Sequence, residues 1–570
     1  MSARSFLLMF VLGCTSSGVR RFPLRDPVWR DPDLTSVYVR CRDVKDKEKH
    51  RTCAPEPYKS PLYWDIADNS VFRPLSEVTA VTVPGEAVNV NSLDEVPDSS
   101  WFQNRLGVRP ITRAELAMGG CSKEQVLDPE TAADGSWVID KGRDSGSTPG
   151  FRIRVPGKGK YYVKLEKAWQ QPERQSAATV IGAAVMHAAG YNASCEQLLY
   201  VRPSLFRLQP GVTFGTYFTR AVPYDKSAFE KDLTAATTRD GLIRVVASAW
   251  IPGYVIGPYQ FMGTRDDDPN DVVSHENRRE LRALRLIGAW LERHDSREAN
   301  TLDTWISDVK EPPDASPGHV VHYQFDTSDA LGAGMSVGNV SRQLGKNYVI
   351  DWSNMATEFM TFGVRRAPWE TAHVTPGHEL FGYFNVRDFV PDKWKPEYPN
   401  GAFSRMSERD AAWMARILAR FTPEMVDTLA GMGNFSDPAQ TAYLASVLKG
   451  RLARILERYL TRVSSIADVR IEGSELCGVD LAAWRGIRAP SSFTYAARLV
   501  GGPALGVVRH GAGRICVALL HFAPDGGARD DDPSRYMRVV VTDGVALAPL
   551  VAHLYDLGPA RGFKLVGLER

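Results

Sequence analysis

Four polar residues, far apart in the chain but ordered by what surrounds them, restrict the folds open to it. Lys164 lies in the strand-like run Tyr161-Tyr162-Val163-Lys164-Leu165. Asp295 and Asn300 stand five residues apart in His294-Asp295-Ser296-Arg297-Glu298-Ala299-Asn300, and Asp326 follows the apolar run 320–325. For all four to meet, a sheet holding the lysine and a helical body holding the acidic loops must face one another across a cleft. The order therefore predicts an α+β chain with a two-lobed central part.

Glycines and periodicity mark where those lobes begin and end. The runs 137–139 and 151–155 read as strands flanking Lys141-Gly142-Arg143-Asp144-Ser145-Gly146-Ser147-Thr148-Pro149-Gly150, and Pro156-Gly157-Lys158-Gly159 turns the chain into the lysine strand. A helix is predicted over 172–189, with Ala177, Val180, Ile181, Ala184, Val185 and Ala188 on one stripe and Gly190 as its stop, followed by a strand over 197–201. The apolar run 244–259, broken at Pro252-Gly253, reads as the link between lobes. Ser274 is expected to cap a helix reaching about residue 293, with Leu281, Leu284, Gly288 and Leu291 inward and Arg278, Arg282 and Arg285 toward water. Three more helices are expected between 407 and 460, two of them opened by Thr422-Pro423-Glu424 and Ser436-Asp437-Pro438.

From about residue 464 the texture changes. Short β-rich runs at 505–510, 514–522, 536–541 and 563–568 are separated by Gly, Pro and Asp clusters, which predicts a small all-β sandwich. The expected division is a leader at 1–13, a tether at 14–60, an irregular extension at 61–135 packed on the core through Trp101 and Phe102, a first lobe at 136–259, a helical second lobe at 260–462 and the sandwich at 463–570. A length of 570 residues fits roughly three to four domains. Apolar and charged contents of 44% and 24% are those of folded protein, and a net charge of +2 argues against a nucleic-acid partner.

The first residues point to an address. Arg4 precedes the apolar run 5–12, which has the size of a signal-peptide core and is too short to span a bilayer. It ends at Val11-Leu12-Gly13-Cys14, which resembles a bacterial lipobox. That resemblance implies cleavage before Cys14, lipidation of its thiol and anchoring in the cell envelope, facing the periplasm or the cell surface. Thr15-Ser16-Ser17-Gly18 suits a flexible tether. In an oxidising compartment the six remaining cysteines are candidates for bridges: Cys41 with Cys53 first, Cys477 with Cys516 next, while Cys121 and Cys195 read equally well as buried thiols. Their spacing forms no zinc pattern.

Phosphoryl transfer needs a cation for the phosphates, side chains that hold a metal, and an acceptor for the nucleophile's proton. Lys164, the Asp295/Asn300 spacing and Asp326 fit those three needs in order. The segment 101–460 resembles an uncharacterised group of bacterial exported proteins with an atypical protein-kinase-like fold, related in plan to HipA-type and spore-coat CotH-type kinases. The residues behind the resemblance are Ser147-Thr148-Pro149-Gly150-Phe151, Lys164, His294-Asp295 through Asn300-Thr301, Phe325-Asp326 and Lys393-Trp394-Lys395-Pro396. It implies that Lys164 binds nucleotide phosphates beside Gly146 and Gly150, that Asp295 is the catalytic base, and that Asn300 and Asp326 hold magnesium, with ATP or another nucleotide as cofactor. The acceptor would be an unknown protein or small molecule.

The chain departs from that pattern in three places. Asp326-Thr327-Ser328 replaces Asp-Phe-Gly, with the glycine delayed to Gly332. The first helix offers Thr179 where a glutamate partner for Lys164 is expected, leaving Glu173 as the substitute. The segment 306–318 lengthens the gap between Asn300 and Asp326. An envelope protein also lacks the cytoplasmic ATP supply, which keeps open a catalytically inactive pseudokinase or a ligand- or protein-binding lipoprotein. A third class, a serine hydrolase, rests on Gly334-Met335-Ser336-Val337-Gly338, a G-x-S-x-G match without a strand leading into it.

Overall fold

The lysine strand sets up the first sheet through its alternation. In Gly159–Leu165, Tyr161, Val163 and Leu165 are buried, whereas Lys160, Tyr162 and Lys164 point to the opposite face. The structure, a computed structural model, describes residues 21–25, 31–43, 51–59, 64, 67–79, 85–142, 148–168, 172–216, 219–309, 315–333, 340–526 and 529–570. Its chain is mixed α and β. Leu242–Ala249 pairs antiparallel with Gly159–Leu165 on one side and with Glu196–Val201 on the other. Beyond the lysine strand come Gly150–Val155, Trp137–Gly142 and the parallel edge Phe206–Leu208. Trp137, Ile139, Phe151, Ile153, Val163, Val245 and Ala247 form one apolar core.

Helix Arg174–Ala189 is buried along almost its whole length. It joins a second, larger core with helices Arg279–Leu291, Glu408–Leu418, Pro423–Met432 and Pro438–Leu460. Ser407, Thr422 and Asp437 cap the last three, and proline opens the latter two. A second sheet runs Val37–Arg40, Ala315–Gln324, Thr301–Ser307, Tyr254–Gly257. At the C-terminal end two antiparallel sheets, of four and five strands, share a third core around Leu476, Val517, Val539 and Leu554. Disulfides join Cys41 to Cys53, Cys121 to Cys195 and Cys477 to Cys516. No helix of the described residues is long and apolar enough to cross a membrane.

Several expectations are corrected. The tether expected over 14–60 contains built-in structure: Asp31 and Asp33 are buried and Val37–Arg40 joins a sheet. The Val37-Tyr38-Val39 alternation is short and sits among charges, so it gave no strand signal. Tyr254–Gly257, expected with the first-sheet strands before it, pairs with Thr301–Ser307 in the second sheet. Ser274 does not cap the long helix. A 3-10 turn, His275–Asn277, intervenes, and the N–H of Arg279 donates to Asn89 Oδ1 at 2.8 Å from a distant loop.

The largest departure is at the arginines expected in water. Arg278 and Arg282 are fully buried, as is neighbouring Arg279, and Arg285 donates to the carbonyls of Asp392 and Trp394. Arg278 pairs with Asp31, and Arg279 with Asp94 at 2.7 Å and Asp410 at 3.1 Å. Arg282 lies 3.4 Å from Asp410. An amphipathic pattern cannot reveal this, because the acids that pair with these arginines come from other segments. Breaking a buried pair strands the surviving charge. Asp410→Ala, which takes from Arg282 its paired carboxylate and from Arg279 one of two, is expected to cost about 3–5 kcal/mol in urea unfolding, and Arg282→Met in the same chain to recover part of the loss.

Candidate functional site

Asn300 and Asp326 meet because a hairpin lies between them. Thr301–Ser307 and Ala315–Gln324 pair in register from Thr301 opposite Gln324 to Ser307 opposite Gly318. The residues just outside the ladder, Asn300 and Phe325, are therefore neighbours, and the Phe325 N–H donates to Asn300 O at 3.1 Å. The pairing fixes this, so the described part of the longer segment, 306–309 and 315–318, extends two strands without parting the pair. Arg293, at the end of helix Arg279–Leu291, fastens both ends. Its guanidinium donates to Asn300 O at 3.1 Å, Phe325 O at 2.9 Å, Asp326 O at 3.4 Å and Gln324 Oε1 at 2.8 Å.

Asp326 has a left-handed backbone, φ 43°, a conformation that costs most residues energy but that aspartate tolerates. Its Oδ2 lies 3.0 Å from Lys164 Nζ, and its Oδ1 accepts from Ser328 Oγ at 2.7 Å and Ser328 N at 3.2 Å. Burial alone would raise the Asp326 carboxyl, but Lys164 and then Ser328 pull it down to about 2. Burial likewise works against the Lys164 ammonium, and Asp326 followed by Glu196 raises it above its ordinary value. Glu196 is the acid that sequence reasoning missed. The ladder sets Ser248 opposite both Tyr162 and Glu196, so Glu196 shares Lys164's face of the sheet. The carboxylate accepts from the hydroxyls of Ser194 and Ser248. Only its place just ahead of the strand expected at 197–201 hinted at this.

Asp295 is held on all sides. Arg297 grips its carboxylate with two N–H groups, the second at 3.1 Å; Asn300 Nδ2 donates to its carbonyl at 2.7 Å, and its own N–H donates to Asp329 Oδ2 at 2.7 Å. Burial would raise the carboxyl, but Arg297 and then His294 hold it below the usual range. Asp329 goes the other way, pushed up by burial first, with the Asp295 charge adding to the rise. The Asp329 Oδ1 atom is buried with no hydrogen-bond partner among the described residues. His294 Nδ1 sits 3.0 Å from Glu397, in the segment after Lys393-Trp394-Lys395-Pro396.

Of the residues singled out by sequence, Lys164 pairs with Asp326, Asn300 binds the Asp295 carbonyl, and the Phe325 N–H ties the Asn300 backbone to the residue before Asp326. Gly150 lies opposite Lys164 in the ladder, where a Cβ would stand 2.7 Å from Val163 O. Glu173 does not join them. Its carboxylate binds Arg239 at 2.7 Å and the N–H and hydroxyl of Ser436 at 2.9 Å, so the substitute-partner reading is corrected: Asp326 is the ion-pair partner of Lys164. Thr179 serves a different contact, its carbonyl accepting from Thr327 Oγ1 at 2.9 Å where Gly182 leaves room for that side chain. Gly146, Ser336 and Cys14 lie outside the described residues.

No protein-family model matches the chain, and no curated protein matches it. One solved structure is similar: the crystal structure of the Golgi casein kinase with Mn/ADP bound, at 9% identity and a TM-score of 0.26, over 57% of this chain and 74% of that one. A likeness of that size carries no weight here, and the site rests on its own geometry.

The buried histidine gives that geometry a pH signature. Burial lowers the His294 imidazolium, but Glu397, then Asp329 and Asp295, raise it to about 9. A folded value above the unfolded one, about 6.5, means stability that is complete below pH 6.5 and is lost as pH rises through 9. The loss is expected to be on the order of 3 kcal/mol, read as a falling melting temperature from pH 6.5 to 9 that His294→Gln flattens.

Proposed function

We propose that the cleft between the lysine sheet and the Asp295–Asp326 loops binds a nucleotide by its phosphates together with magnesium, in a protein-kinase-like two-lobed arrangement, and transfers a phosphoryl group to an unidentified protein or small-molecule acceptor. The observation behind this reading is the hairpin that brings Asn300 to Asp326 while Asp326 touches Lys164. The donors fit a hard cation: Asn300, Asp326 and the unpartnered Asp329 Oδ1 all offer oxygen. Asn300 and Asp326 would hold magnesium, which when bound would neutralise charge building on the phosphates.

The chain's own residues divide the remaining work. Lys164 supplies a fixed positive charge at the mouth of the sheet face, where phosphate oxygens compete with Asp326 for it. Asp295, turned toward the same loop, would accept a hydrogen bond from the acceptor's hydroxyl and orient it. Its carboxylate is a weak base while Arg297 holds both oxygens. That grip favours the second reading, a pseudokinase that binds nucleotide without transfer. The three disulfides support an oxidising compartment and, with the sequence at Cys14, a protein anchored by lipid in a bacterial envelope.

A thermal-shift series of nucleotides with and without magnesium tests the cleft. Stabilisation by nucleotide is expected to require magnesium and to weaken by more than about 100-fold in Asp326→Ala or Asn300→Ala; unchanged binding in both variants sinks the assignment. Transfer is read separately as loss of the γ-phosphate to an added acceptor mixture. Arg297→Ala is expected to raise that rate if the arginine is a brake, and Asp295→Asn to abolish it.

A further inference from the structure

Away from this cleft, the loop 91–108, helix Glu408–Leu418 and the C-terminal strands enclose a cavity of about 320 Å³. That volume falls at the lower end of small-molecule sites. Its walls are of two kinds. Val96, Ile417 and Leu568 give an apolar side, and Trp413 closes it with its indole N–H committed to Glu95 at 2.8 Å. Arg416, Arg420 and Arg570 give the other. Exposed Val108 and Asp468 stand at the mouth.

The arginines are underused. Arg416 is only 3% exposed, and its Nη1 is buried with no hydrogen-bond partner among the described residues, the one arginine Nη there in that position. The ion pairs leave a remainder. Arg279, Arg282, Arg416, Arg420 and Arg570 share Asp94, Glu95, Asp410 and Asp468, five guanidinium groups against four carboxylates. Arg416 is the least well served, 3.7 Å from Asp94 and 3.4 Å from Glu95, with neither contact close. A buried guanidinium without full pairing is costly, and a matching anion removes that cost.

We infer that this cavity is a binding site for a small monocarboxylate with an apolar body, the carboxylate meeting Arg416 and the body lying against Val96, Trp413 and Leu568. The open Nη1 of Arg416 suits one carboxylate oxygen. A phosphate dianion is disfavoured because Glu95 and Asp468 stand in the same wall. Because the walls come from three separate segments, occupancy would also tie the C-terminal sheets to the helical body.

Benzoate, benzamide and inorganic phosphate, titrated at constant ionic strength into the full-length protein, separate the possibilities by calorimetry and thermal shift. Saturable binding of benzoate is expected, with neither benzamide nor phosphate matching it. Val108→Asp, on an exposed residue at the mouth, is expected to weaken benzoate by roughly tenfold through repulsion with the unliganded melting temperature unchanged, and Arg416→Gln to remove the preference for benzoate over benzamide. Absence of saturable benzoate binding, equal binding of benzamide or phosphate, or a benzoate affinity untouched by Val108→Asp would each overturn the site.

Discussion

Arg293 is the interaction on which the rest of the cleft depends. A helix end, an Asp/Asn loop and both ends of a hairpin converge on one guanidinium that is 1% exposed. Of the three carbonyls it binds, that of Asn300 also takes the Phe325 N–H, the last contact between the two chain segments, while those of Phe325 and Asp326 lie beyond the end of the ladder. Buried carbonyls need a donor, and arginine's planar fork serves several at fixed angles where lysine's single point of charge would not. The geometry of Asn300 and Asp326 is thus inherited from a residue that has no part in binding. Helix Arg174–Ala189 adds a second fastening on the far side of the loop, through Arg174 Nη1 to Ala330 O at 2.6 Å and Thr327 Oγ1 to Thr179 O.

Charge balance explains why so many acids can sit together there. Three have a cation at hand, Asp326 in Lys164, Asp295 in Arg297 and Glu397 in His294, while burial raises the carboxyls of Asp329 and Glu196. A divalent ion held as proposed would compete with Lys164 for Asp326, so its affinity alone would be weak and would rise when phosphate oxygens give Lys164 a new partner. Metal and nucleotide would then bind cooperatively because they share one lysine, with no movement of the fold required.

How much of this the sequence disclosed depends on the reach of each interaction. Strands with alternating burial, such as Gly159–Leu165, and helices opened by Thr422-Pro423 or Asp437-Pro438 are local facts, written within a few neighbouring residues. The Asp295–Asn300 spacing was legible for the same reason. What stayed hidden was pairing across the chain. Glu196 reaches Lys164's face only through a ladder with Leu242–Ala249, Asn89 caps a helix nearly two hundred residues away, and Val37–Arg40 completes a sheet whose other strands begin after residue 250. Glu173 misled because helical phase says which way a side chain points from its own axis and not which cation waits there; Arg239 and Ser436 were closer than Lys164.

The arginines carry this lesson furthest. A mixed-sign helix face such as Arg278-Arg279-Glu280-Leu281-Arg282 reads as solvated, and a net charge near zero supports that reading. Yet Arg244, Arg278, Arg282, Arg293, Arg451 and Arg535 are among the most completely buried side chains of the protein. Most end on backbone oxygen. Arg244 binds the carbonyls of Glu173, Gly433 and Asn434, Arg451 those of Ala289 and Asn385, and Arg535 those of Pro524, Gly526 and Asp556. These sites are turns or element ends, where carbonyls have spare accepting capacity. A chain with long irregular stretches must find donors for such groups or leave them in water, and here arginine is the donor that lets loops pack as tightly as helices do. Buried charge in this protein is therefore a consequence of irregular backbone, and Arg416, whose unpartnered atom among the described residues is a terminal Nη1 where other buried arginines leave Nε, stands out against that background.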